Sequence, residues 1–140
     1  MKKLIIILLL FPLFDANAES DKLLPDLVQL NAPYNATMEV VKKSDVHIYL
    51  PHGSVATISL DGSAKFDTAT SHTVYLSTEI HKSGKSVLVK SKVKSGNAFS
   101  IGLVTTCGET VSVTIHGLAN SVDPLLIKPR LHIASANCIN

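Results

Sequence analysis

Nothing in this chain spells out a reaction. There is no Gly-x-Ser-x-Gly elbow, no paired acidic motif and no cysteine placed beside a histidine, and the 11 acidic residues are scattered. Nucleophilic and acid–base catalysis both need such groups held within hydrogen-bond reach of each other. Their absence predicts a non-catalytic protein, with no catalytic residue, metal ligand or cofactor to assign. Charge of one sign is missing too. Thirteen lysines and arginines against 11 acids leave a formal charge of +2, which gives no electrostatic reason to expect nucleic acid or an anionic membrane as a partner. No internal window shows a convincing helical period, and no repeat or low-complexity tract is present. The longest apolar run, Leu4 to Phe14, is too short to cross a bilayer comfortably, which takes about 20 residues.

That run has a different reading. Lys2 and Lys3 precede it and Ala16-Asn17-Ala18 follows it as a small-x-small cleavage site, the pattern of a secretory signal peptide with bacterial character. No cysteine follows the site, so a lipid anchor is not indicated. Residues 1–18 are expected to be removed, leaving 122 of the 140 residues and one domain's worth of chain. Lys2, Lys3 and Asp15 leave with them, taking the formal charge from +2 to +1. The expected destination is the periplasm. The mean hydropathy is positive because of this leader, not because of membrane character.

Cysteine is scarce, and both residues, Cys107 and Cys138, lie beyond the leader. In an oxidising compartment two cysteines most simply form one disulfide. It would close a loop of about 30 residues and tie the C-terminal end to the centre of the domain, with roughly 3 kcal/mol of stabilisation in the loop-entropy view. Two free thiols or a metal site are the alternatives.

What the chain does have is alternation. Phe99, Ile101 and Leu103 fall at every second position, as do Val111, Val113 and Ile115. Each trio lines one face of a strand, and Thr106-Cys107-Gly108-Glu109 between them offers a glycine for the turn. This is the clearest hairpin signal in the sequence and its best candidate core. Upstream, residues 19–36 form an expected extended arm with Pro25 and Pro33, in which Asn35-Ala36-Thr37 is an idle glycosylation sequon. From 37 to 140 the composition is that of a β domain. Met38, Val40 and Val41 suggest a first strand. Val46 to Leu50 and Val55 to Leu60 follow, separated by Pro51 and His52-Gly53, and Asp61-Gly62 closes the second of them. Lys65 to Ala69 is ambiguous. Val74 and Leu76 alternate with polar neighbours, Val87 to Val89 follows a Ser83-Gly84-Lys85 turn, and Lys90 to Asn97 reads as a lysine-rich loop. Leu131 and Ile133 suggest a last strand. Seven to nine short strands at spacings of about 8 to 12 residues predict a small antiparallel β-sandwich with one disulfide.

Three patterns imitate chemistry. Ser83-Gly84-Lys85-Ser86 resembles the end of a phosphate loop, but Glu79 stands where that motif needs glycine. Ser91-Lys92-Val93-Lys94 has a Ser-x-x-Lys spacing, but lies between strands instead of opening a helix. The six histidines, His47, His52, His72, His81, His116 and His132, include no close pair of metal-ligand spacing; the nearest two, His47 and His52, would point to opposite faces of a strand. Exposed strand-face histidines are the plainer reading.

Two stretches resemble a known family. SDVHIYLPHGSVATISLDGSA, residues 44–64, and NAFSIGLVTTCGETVSVTI, residues 97–115, are similar to the strand, turn and Asp-Gly pattern and to the hairpin of TraK-type conjugation proteins and the related outer-membrane-core subunits of type IV secretion systems. The resemblance covers roughly residues 37–116 and lies in turns and alternation. It implies a ring subunit that is periplasmic and outer-membrane associated through its partners: copies of itself, a lipoprotein and an inner-membrane-anchored bridging subunit. Members of that family normally continue into a second β domain, and they do not generally require the Cys107–Cys138 pair. Two other classes stand beside this reading: a pilus or adhesin-type β-sandwich binding module, and a periplasmic metal-binding sandwich.

Overall fold

The β8–β9 hairpin is the spine of the fold. In the computed structural model, which describes residues 27–28, 33–119 and 128–139, β8 (Ala98–Thr105) and β9 (Thr110–Leu118) pair antiparallel, Ile101 opposite Val113 and Leu103 opposite Val111. Ile101, Leu103, Val111, Val113 and Ile115 are fully buried, while Phe99 is half-buried and packs against the rim of the core. The turn is the expected one. Gly108 has φ 79°, the left-handed conformation that glycine adopts at no steric cost, and its N–H bonds to the Thr105 carbonyl.

Around this hairpin two five-stranded sheets stack face to face. The first has the order β1 (Leu27–Val28), β3 (Val46–Pro51), β9, β8, β5 (Phe66–Thr70). The second runs β2 (Pro33–Thr37), β10 (Arg130–Ala134), β4 (Val55–Leu60), β7 (Ser86–Ser91), β6 (Leu76–Ile80). The all-β sandwich is thus as the alternation predicts and the disulfide as the two cysteines suggest, but both sheets are mixed instead of antiparallel. Hairpins β6–β7 and β8–β9 join neighbours directly, whereas most other connections cross from one sheet to the other. Strands that come together from distant parts of the chain, β3 with β9 and β10 with both β2 and β4, run parallel.

Several local expectations change. Met38 to Lys43 is a helix, α1, not a first strand. Thr37 caps it, its hydroxyl accepting from the Val40 N–H, Glu39 sits in the first turn and Lys42 and Lys43 in the last, all favourable to the helix dipole. Met38 and Val41 are buried, and their spacing of three suits a helix as well as the shorter alternation suited a strand. The sandwich already includes β2, so it begins before the expected boundary at 36/37. Val74 lies in the turn before β6 and is 63% exposed. The segment expected as ambiguous is β5, with a bulge between Phe66 and Thr68. Lys90 belongs to β7, and Val93 within the supposed solvated loop is fully buried, its N–H held by the Ser91 hydroxyl. The expected signal peptide, residues 1–18, and the arm from 19 to 26 lie outside the described residues.

One position fixes how closely the loop after β7 approaches the first sheet. A Cβ placed on Gly117 would meet the Lys94 carbonyl oxygen at 2.0 Å, and this backbone neighbour is itself tied down by a turn in which Asn97 N–H bonds to Lys94 O and Gly117 N–H to Asn97 O. By contrast, nothing lies within 4 Å of a Cβ on Gly102. Gly117→Ala is therefore expected to cost about 1–3 kcal/mol through overpacking, and Gly102→Ala to change stability little. Urea unfolding midpoints of the two variants check this, and equal midpoints would refute the close approach.

Candidate functional site

Open sheet edges are the part of a β-sandwich that can act on another chain, since they carry unpaired backbone donors and acceptors. Among the described residues, β2 is one edge of the second sheet and β6 the other. Beside β2 runs an apolar groove of about 310 Å³, lined by Tyr34, Asn35, Ala36, Thr37, Val40 and Ala134. α1 starts immediately after β2 and leaves Val40 38% exposed over a floor of small residues. Ala36 and Ala134 leave the room, and Tyr34 walls it. Proline is confined to the first residue of this edge, Pro33, where a missing N–H is tolerated.

The opposite end of the hairpin is a second cluster. Cys107 and Cys138 are bonded, with Cα atoms 5.1 Å apart, as expected. The C-terminal segment is further stitched to the β4–β5 turn: Ala64 N–H bonds to Ala136 O, Ala136 N–H to Asp61 O, Ser63 N–H to Asn137 Oδ1 and Cys138 N–H to Ser63 Oγ. Next to the disulfide, Lys42 Nζ reaches Glu109 Oε1 at 2.8 Å and so joins α1 to the hairpin turn, while Glu109 Oε2 is buried without a hydrogen-bond partner. A polar recess of about 340 Å³ lies alongside, lined in part by Lys42, Asp45, Thr110 and Ser112.

The six histidines separate. His52 sits in the turn after β3, as the His52-Gly53 pair suggests. His81 bonds Ser83 in the β6–β7 turn, and His132 bonds Ser59 on the second sheet. His72 joins Tyr75 and Phe99 in a cluster at the end of the sandwich, with the Tyr75 and Phe99 rings stacked at 4.3 Å. Among the described residues, no three histidine, cysteine, aspartate or glutamate side chains gather around a point. Two histidines do meet. His47 Nδ1 and His116 Nε2 are 2.7 Å apart on the open face of the first sheet, and the Tyr49 ring stacks on His116 at 4.5 Å. Burial, and secondly the charge His47 can carry, holds His116 below the ordinary imidazole value. Sequence spacing gave no hint of this pair, whose members lie 69 residues apart; only the β3–β9 register, Tyr49 opposite His116, brings them together.

The disulfide closes a separation of 31 residues, which the chain-entropy account values at about 3–4 kcal/mol. Reduction is expected to lower the melting temperature by roughly 10 °C or more, measured with and without reductant; an unchanged melting temperature would mean that the hydrogen bonds around Asp61 to Ser63 hold the C-terminal segment by themselves.

Compared with protein-family models and with curated proteins, this chain matches none.

Proposed function

We propose that this protein is a non-catalytic, exported structural subunit that works by protein–protein contacts, in the outer-membrane core of a type IV secretion or conjugation system. The observation that carries the reading is the open β2 edge with its apolar groove. An extended strand added there would satisfy the edge's backbone groups and place alternate side chains against Tyr34, Ala36 and Val40. The strand best placed to be added is β6 of a second copy. β2 and β6 are opposite edges of one sheet, so joining them is a head-to-tail contact, and such contacts generate rings when the rotation closes. β6 is short, with Ser77 and Glu79 exposed. The resemblance of residues 44–64 and 97–115 to TraK-type proteins supports a channel ring over other assemblies, and a lipoprotein and a bridging inner-membrane subunit complete the set of partners.

The test is the oligomeric state of the purified mature chain by light scattering, together with capture of partners from the native bacterium. The wild type is expected to self-associate. Val40→Glu, which puts a charge in the groove, is expected to weaken association about tenfold or more without lowering the melting temperature. Leu88→Glu, on the open face of the second sheet, serves as the control. A wild type that stays monomeric and captures no channel subunit would overturn the proposal. Capture of pilus-assembly proteins would favour a pilus module instead, and stoichiometric metal in untagged protein a metal-handling one.

A further inference from the structure

The His47–His116 contact has a geometry that only certain proton counts allow. The nitrogens are 2.7 Å apart and the ring centroids 5.0 Å, which is close to the largest separation such a contact permits. The two nitrogens therefore face each other nearly head-on, along one line. That arrangement suits an N–H of one ring donating to the lone pair of the other. It does not suit a shared metal ion, whose ligand lone pairs must converge on a third point. A neutral pair can make the bond, and so can a pair carrying one extra proton. With two extra protons both facing nitrogens bear hydrogen and the head-on contact cannot persist.

The position of the bond gives this chemistry a consequence. It runs diagonally between β3 and β9, from the row His47–Thr114 to the row Tyr49–His116. β3 is the strand on which β1 rides in parallel, Leu27 opposite His47 and Val28 opposite Ile48. Among the described residues the first sheet has no strand beyond β1, so β1 and β3 together form its edge. We infer that His47 and His116 are a proton-operated latch, closed at neutral pH and opened by a second proton, that holds the β1–β3 edge onto the body of the sandwich.

The surroundings bear on the sign. Tyr49 of β3 stacks on His116. Asp45 precedes β3 and lines the recess with Lys42 and Lys43 of α1, and Glu109, in the turn just before β9, pairs with Lys42. From β8 the open face presents Ala98 and Ser100, neither charged, with Ser100 bonded to Thr114. Because the folded state holds His116 below its unfolded value near 6.5, the unfolded or opened chain binds protons more readily. The latch's contribution is therefore complete above about pH 6.5 and is lost as the pH falls below it.

Hydrogen exchange of the full mature chain at pH 7.5 and 5.0, corrected for intrinsic rates, tests this without reference to assembly. Protection of residues 46–51 is expected to fall about tenfold more than that of residues 101–105 on acidification. His47→Gln and His116→Gln are each expected to abolish the difference, while Asp45→Asn and His132→Gln leave it intact. Imidazole nitrogen NMR of the wild type gives a reading that needs no variant: an inter-ring N–H···N signature at pH 7.5 that disappears at 5.0. Equal protection at both pH values, a pH response that survives in both glutamine variants, or an inter-ring signature unchanged at pH 5.0 would each overturn the latch.

Discussion

Strand β9 is hydrogen-bonded along both sides, antiparallel to β8 and parallel to β3, and the rest of the molecule is placed by that double pairing. Its inward residues, Val111, Val113 and Ile115, have no solvent exposure, so a slip of one residue against either neighbour would turn the core face outward. α1 packs against the same strand through Met38 and Val41, and the Lys42–Glu109 pair pins the helix at the point where β9 begins. The disulfide, one residue before that turn glycine, then ties the C-terminal segment to this fixed point. Fixing β9 fixes, in order, the first sheet, the helix that bridges to the second sheet, and the chain's end.

The period of two that buries one side of each strand also decides what faces outward. The open face of the first sheet presents His47, Tyr49, Ser100, Ser112, Thr114 and His116, with the carboxylate of Asp67 exposed on its outer strand β5. The open face of the second presents Glu79, Leu88, Lys90, Arg130 and His132. Across β3 and β9 the outward groups are imidazole, phenol and hydroxyl, so charge reaches that part of the face through protonation of the imidazole pair, which gives the pair its leverage there. On the second face one more charge would join several already present and change little.

The residues that were legible in the sequence are those whose neighbours are close in the chain. Phe99 to Ile115 declared itself because the hairpin pairs residues a few positions apart and the alternation runs long enough to exclude a helix. The disulfide was legible because the sequence has two cysteines, which an expected oxidising destination would pair. Met38 to Lys43 was not, because six residues offer a strand pattern and a helix pattern equally, and the choice is made by packing on β9 and by the Thr37 cap. Parallel pairing was not legible either, since nothing local in Val46 to Pro51 distinguishes a strand beside β9 from one beside its own sequence neighbour. The imidazole pair depended on that pairing and was hidden with it.

The two candidate sites lie on the same side of the sandwich, because β1 and β2 are consecutive strands that form neighbouring edges of the two sheets. They differ in what holds them. The β2 edge is fixed by five rungs to β10, Arg130–Pro33 through Ala134–Thr37, and stays in place at any pH that keeps the sandwich folded. Among the described residues the β1 edge has two rungs to β3, and it depends on β3 staying with β9. A partner strand seated on β2 would therefore meet a rigid template, whereas anything that uses the β1–β3 edge would meet one whose strength follows proton concentration. Between the described parts of the two edges the difference is one of pairing: few backbone hydrogen bonds leave side-chain contacts to decide whether an edge stays closed.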